Sequence, residues 1–333
     1  MPAFVSRVED PSQIAEARRN ARQLAQSLGF DENTAEKAAI VVTEACTNLL
    51  KHARSGLVII GPAFGGPGAA DPALLEILAL DRGPGIDDVE ASVQDGHSTT
   101  GTSGNGLGAI RRLASYTEIY TRPGCGMALL ARISGQTNPN PEPGNTGAVQ
   151  VPKPGEDVCG DQWGVTGVNG RRMFLLADGL GHGIDAARAS ATAVDVLQRH
   201  PNLSVTELLG SVHDALRPTR GAAVAIAEID AERRIVIFGG LGNVSGIIFA
   251  DDAPPRRMVS TNGTAGVEAR HLRDFTYPWP AGATLILHSD GIGTHWSLSD
   301  YPGLAAHDPA IIAGVVYRDF TRGNDDATIV VAK

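Results

Sequence analysis

The chain has 333 residues, 37 acidic and 28 basic, for a formal net charge of −9, and 42% of it is hydrophobic and 20% charged. This composition excludes a disordered chain, and an acidic balance with only 5% aromatics excludes the basic face and stacking platforms that nucleic-acid binding needs. The length, roughly twice that of a typical domain, predicts two domains, and 40 glycines mark either loose loops or places where backbone meets a ligand.

The first twenty residues lack the apolar core of a signal peptide. No run approaches the roughly 18–20 apolar residues of a membrane span. Cys46, Cys125 and Cys159 form neither a disulfide framework nor a metal knuckle. A cytoplasmic protein with no membrane partner is expected.

Residues 12–28 carry Ile14, Ala17, Ala21, Leu24, Ala25 and Leu28 at helical spacing, with Gly29 as a stop. Asp31 or Asn33 caps a second helix, 33–53, lined by Ala38, Val41, Val42, Ala45 and Leu49. LVII (57–60) and LLEILAL (74–80) read as strands joined by a Gly/Pro-rich hairpin loop over 61–72. A Gly-rich segment, a helix and two strands complete this half. Residues 135–147, GQTNPNPEPGNTG, read as a linker that divides 1–134 from 148–333. Beyond it come strands GAVQV, QWGVTGV and RRMFLLAD, then helices near 182–199 and 204–216. Strands over 222–229, 234–238, 244–250 and 283–289, a helix near 308–320 and a last strand 327–332 follow. Runs of strands separated by a helix pair predict a layered α/β sandwich rather than a doubly wound sheet.

Three motifs in the first half carry chemistry. Glu44 and Asn48, four apart in EACTNLLKHA, share a helix face. An amide oxygen there can ligate a hard cation, and a carboxylate can deprotonate a hydroxyl; alone, such a pair is commonly a solvated face. Asp81 ends an apolar strand in DRGPG, where a carboxylate can accept from an exocyclic amine while Gly83 and Gly85 let a flat ring approach backbone. Gly101, Gly104, Gly106 and Gly108 precede a helix, and a Gly-rich loop feeding a helix N-terminus is an anion site. No Gly-Lys-Ser/Thr follows, so this is not a P-loop.

In this order, E-x-x-x-N, D-x-G-x-G and G-x-G-L-G before a helix, the motifs resemble the N, G1 and G2 boxes of the GHKL (Bergerat) ATP-binding α/β sandwich. The short form, and GNGLGAIRRLAS in particular, is similar to the anti-sigma-factor and RsbT-type switch serine kinases. The resemblance implies Glu44 as general base on a protein serine or threonine, Asn48 as Mg²⁺ ligand, Asp81 on the adenine amine with Gly83 and Gly85 along the ring, and Gly104, Gly106, Leu107 and Gly108 around the ATP phosphates. It implies a lid over 89–103, and His52 is read as structural.

In the second half, Asp161, Asp178, Asp290 and Asp325 with Asp326 stand out. In FLLADGLGHG and LILHSDGIG an apolar run delivers an aspartate to its tip and glycine follows. One such Asp-Gly is usually a turn; repeated delivery of carboxylates is how a dinuclear hard-metal site is built. The set resembles the type 2C metal-dependent serine/threonine phosphatases, an α-β-β-α sandwich, and ADGLGHG resembles the SpoIIE and RsbX branch. The resemblance implies Asp178 bridging two Mn²⁺ or Mg²⁺ ions and central to catalysis, with the Gly179 carbonyl on one of them. It implies Asp290 and Asp325 on the other ion and Asp161 acting nearby through water. Asp326 takes the place of a second polar group, His182 is read as packing at a helix start and His288 as core. No arginine matches the phosphate-gripping arginine of eukaryotic members; Lys153 is the candidate instead.

Together the two resemblances imply a bifunctional partner-switching regulator. Its first domain would phosphorylate a STAS-domain antagonist with Mg-ATP, its second would dephosphorylate phosphoprotein, and a sigma factor or stressosome component would lie downstream. The alternative is a phosphatase whose first domain senses nucleotide and captures a regulator without phosphorylating it.

Overall fold

A computed structural model describes residues 3–53, 55–64, 70–89, 106–136, 144–250, 253–269 and 271–333. The chain forms two compact units, one of residues 1–64, 70–144 and 306–318, the other of 145–305 and 319–333. Among the described residues no helix is long and apolar enough to cross a membrane.

The first unit opens with strand β1 (Phe4–Val8), helix α1 (Pro11–Ser27) and helix α2 (Glu32–Asn48). Asp10 and Gln13 close a reciprocal capping box on α1, and Asp31 caps α2 by accepting from the Thr34 amide. The predicted second helix therefore begins a residue early and ends at Asn48, passing into a π turn over Leu49–Ala53. Strands β2 (Gly56–Phe64) and β3 (Ala70–Asp81) pair antiparallel, so both run into the stretch read as hairpin loop. Helix α3 (Gly106–Leu113) and strands β4 (Tyr116–Thr121) and β5 (Met127–Ser134) follow, giving a sheet in the order β1-β2-β3-β5-β4. Small residues on α1 and α2, among them Ala17, Ala21, Ala38 and Ala45, bring both helices close onto Val58, Ile77, Leu129 and Ile133 of one sheet face.

The other face is apolar too, with Leu78, Leu80 and Leu130 all buried. It is covered by residues from the far end of the chain. Helix α6 (Pro309–Phe320) sets Gly314 against Leu78 and Leu80. Ahead of it, Asp308 accepts two hydrogen bonds from Arg132, at 2.7 and 2.9 Å, and Arg132 also pairs with Glu76 at 2.7 Å. The linker reading placed this helix wholly with the second half. The structure moves residues 306–318 to the first unit, because a sheet with two apolar faces needs two covers.

The second unit holds two antiparallel sheets. One is ordered β13-β10-β9-β8-β7 and the other β12-β11-β14-β15-β6. The first consists of β7 (Asp161–Val168), β8 (Arg171–Gly179), β9 (Ala222–Asp230), β10 (Ile235–Leu241) and β13 (Phe275–Pro278). The second consists of β6 (Thr146–Val151), β11 (Ser245–Ala250), β12 (Ala253–Met258), β14 (Thr284–His288) and β15 (Ala327–Ala332). Helices α4 (Ile184–Arg199) and α5 (Val205–Leu216) pack Ala189, Ala193, Leu208 and Val212 onto Leu175, Ala177, Val224 and Ile226. The sheets face each other, with the Phe238 ring of β10 against Gly246 of β11. The layered α/β sandwich expected for both halves is present. Strand β6 starts at Thr146, inside the linker stretch, because it pairs with β15. Strands β1, β12 and β13 have no counterpart in the sequence reading. β12 contains Pro254 and Pro255 and survives because it is an edge strand, where a missing donor faces outward.

Candidate functional sites

In the first unit, α2 presents Glu44 and Asn48 on one side, one turn apart. The backbone at the start of α3 comes down on this pair. A side chain added at Gly106 would lie 3.0 Å from Asn48 Oδ1 and 3.2 Å from Glu44 Oε2, so only glycine lets the helix N-terminus reach the two polar groups. Thr43 and Thr47, on neighbouring positions, turn their hydroxyls back to the carbonyls of Ala39 and Thr43. The Asn48 amide nitrogen is buried and has no hydrogen-bond partner. Leu107 packs on the core and Gly108 is buried.

Asp81 ends β3, is buried and accepts the Gly83 amide at 2.7 Å. Burial pushes its carboxyl up, while the Gly83 amide and the Arg318 charge pull it back. Gly85 sits in a turn against the Arg122 carbonyl, and His52 lies exposed in the π turn. Gly101, Gly104 and residues 90–103 of the expected lid fall outside the described residues. The donor set, a carboxylate, an amide with an orphaned nitrogen and a helix N-terminus beside them, fits a magnesium–nucleotide.

In the second unit, Asp161 and Asp178 are direct partners across β7 and β8. Asp290 follows β14 and Asp325 and Asp326 precede β15. The backbone at Gly291 touches the Asp326 carbonyl, and Gly179 lies against the Ala186 carbonyl in the first turn of α4, so backbone packs closely at both aspartate–glycine tips. A cleft of about 590 Å³ opens above them, lined by Asp178, Asp290, Asp325, Lys153, His182 and Asn243, among others.

Asp161 is fully buried, with no hydrogen-bond partner on either carboxylate oxygen. Asp326 is buried, accepts the Lys153 amide at 2.8 Å through one oxygen and leaves the other unpartnered. Burial pushes the Asp161 carboxyl up to about 7, against the pull of the nearby Ser289 and Thr328 side chains and with the Asp326 and Asp290 charges. Asp178 rises to about 8 through burial and the charges of Asp161, Asp290, Asp325 and Asp326. Burial and Asp325 raise Asp290. Among the described residues no three His, Cys, Asp or Glu side chains close on a single point. What fits an ion here is the charge. Five carboxylates gather here, two of them, Asp161 and Asp326, with unpartnered buried oxygens, and an all-oxygen donor set of that charge suits Mg²⁺ or Mn²⁺.

The structure adds residues that the sequence motifs passed over. Asn243, between β10 and β11, donates to Asp290 at 2.5 Å. Its signal is the one that marked the aspartates, a polar residue with glycine at an apolar strand tip. Glu156 holds His182, its Oε1 2.5 Å from Nδ1, so His182, two residues before α4, is paired at the cleft rim. Arg220 pairs with Asp185 beside Gly181. His288 is core, as read: it is 1% exposed, and burial depresses its ring to about 4.

Residues 8–133 match the family of histidine kinase-like ATPase domains, and residues 169–333 match Stage II sporulation protein E (SpoIIE). The serine/threonine-protein kinase RsbT of Bacillus subtilis (strain 168) is 31% identical over 120 residues, 35% of this chain and 86% of RsbT. The phosphoserine phosphatase RsbX of the same organism is 25% identical over 143 residues, 43% of this chain and 72% of RsbX. A solved structure of the bacterial stressosome, described as a modular system adapted to control secondary messenger signalling, matches 57% of this chain and 98% of its own, at 25% identity and a TM-score of 0.53.

Proposed function

Because the chain belongs to the RsbT-like histidine kinase-like ATPase family in its N-terminal half and carries a SpoIIE-type, PP2C-class phosphatase domain in its C-terminal half, we propose that it both adds and removes phosphate on proteins of one partner-switching circuit. The observation that carries the proposal is that the predicted site residues described in each unit come together. Glu44, Asn48 and Gly106 converge in one unit, and Asp178, Asp290 and Asp325 line one cleft in the other.

Mg-ATP in the first site supplies the phosphoryl group. Glu44 takes the proton of the attacking serine or threonine hydroxyl, Asn48 presents its amide oxygen to the cation, and Asp81 orients the adenine amine. The N-terminus of α3 would meet the phosphates.

Two hard cations in the second site supply a bound water of lowered pKa as nucleophile. Asp178, the Gly179 carbonyl, Asp290 and Asp325 are the groups that would hold them. Asp161 and Asp326 are held behind them. Lys153 places a positive side chain at the cleft, where it draws in the phosphate dianion. The substrate proposed for both sites is a STAS-domain antagonist, upstream of a sigma factor or stressosome.

Labelled ATP and purified STAS-domain proteins test the first half. Glu44→Ala should abolish transfer, and a wild-type chain that binds ATP without labelling any such protein would leave a nucleotide-sensing capture module instead. Asp178→Asn should abolish hydrolysis of phosphoserine protein in Mn²⁺. Full activity in that variant would sink the metal assignment.

A further inference from the structure

Helix α6 lies between Asp290 and Asp325 in the chain, yet it covers a face of the first unit's sheet. Its last turn reaches the strand end that carries Asp81. Arg318 is 6% exposed, and its Nη1 donates to the Asp81 carbonyl at 3.3 Å across 237 positions of sequence. Arg82, the residue after Asp81, donates in return to the Arg318 carbonyl. The two arginines thus clasp the end of β3 to the end of α6. Gly126, at φ +78°, lies against the same Asp81 carbonyl with no room for a side chain. Backbone and guanidinium together fix where the Asp81 side chain starts.

The same arginine acts on the carboxylate. Burial pushes the Asp81 carboxyl up, and the Gly83 amide, the Arg318 charge, the Met127 amide and the His52 charge oppose it in that order. His52 is exposed, where salt screens its charge, whereas Arg318 is buried, where screening is much weaker. The charge on Asp81 matters to a base. A carboxylate accepts from the exocyclic amine of adenine and repels the carbonyl oxygen that guanine carries in its place; a protonated carboxyl can donate to that oxygen. We infer that Arg318 is a positioning residue of the nucleotide site, acting through Asp81 to select adenine over guanine. The inference rests on the nucleotide reading of the first unit. It means that this site is not complete within residues 1–144 and draws on a residue from the far end of the chain.

The full chain in Mg²⁺ should be titrated with fluorescent N-methylanthraniloyl derivatives of ATP and GTP, with melting temperature as the check on fold. The wild type should favour the ATP derivative. Arg318→Met should weaken ATP binding by about tenfold while GTP binding changes by less than about threefold, so that discrimination narrows. Arg318→Lys, which keeps the charge, should recover most of the discrimination. Equal weakening of both nucleotides by Arg318→Met would make the residue merely structural and overturn the inference, as would a discrimination that survives the change. Should Arg318→Met fail to fold, hydrogen exchange on the wild type decides. A non-hydrolysable ATP analogue should slow exchange over residues 309–320, and unchanged exchange there would overturn the inference. A wild type that binds neither nucleotide would sink the nucleotide reading itself, and this inference with it.

Discussion

Asp161 and Asp178 face each other across two strands, and burial with repulsion from neighbouring carboxylates holds both well above the usual carboxylate range. In the metal-free protein the folded state therefore keeps protons that the unfolded chain has already released. Stability must fall as pH rises from about 4, the unfolded pKa, toward 8, since the native state is the better proton binder throughout that window. The melting temperature in EDTA should drop between pH 5 and pH 8, and Mn²⁺ should restore it most at the alkaline end. A flat melting profile in EDTA would count against the carboxylate cluster. Asn243 makes a second prediction at this scale. It orients Asp290 by a 2.5 Å hydrogen bond, so Asn243→Ala should lower Mn²⁺ affinity or activity by about 10–100-fold. A manganese titration of phosphatase rate distinguishes that from a loss of fold, because excess metal should recover part of the activity.

At the scale of elements, α6 and the residue before it are the least replaceable part of the first unit. Arg132 and Asp308 are both buried, and Glu76, Glu118 and the Gly144 amide complete their network. Removing one partner strands the other in the interior. Asp308→Ala should cost roughly 3–5 kcal/mol, read as a fall in the urea midpoint of the first unit. An unchanged midpoint would mean that the packing of Gly314 on Leu78 and Leu80 holds the helix alone. The motif-bearing elements were legible in the sequence because periodicity marks them. α1 and α2 show alanines at helical spacing, and β8 and β14 are apolar runs ending in aspartate. β12 and β13 were not, since their residues are mostly exposed and pairing, not patterning, makes them strands.

For the whole molecule, opposed activities on one chain would consume ATP without effect unless gated. Nucleotide should therefore change the phosphatase rate. Measured with and without a non-hydrolysable ATP analogue, equal rates would argue that the two domains act independently. The sequence by itself determined the α/β class of each half and the motifs by which each half is matched to its relatives, because strand tips and helix starts built to approach a ligand favour glycine and carboxylate at fixed spacing. The tertiary structure alone decided that residues 306–318 complete the first unit. It alone brought Asn243 to Asp290 across 47 positions of sequence. Such pairings come from sheet register and from the need to cover an apolar face, which involve residues far apart in the chain and leave no local periodicity to read.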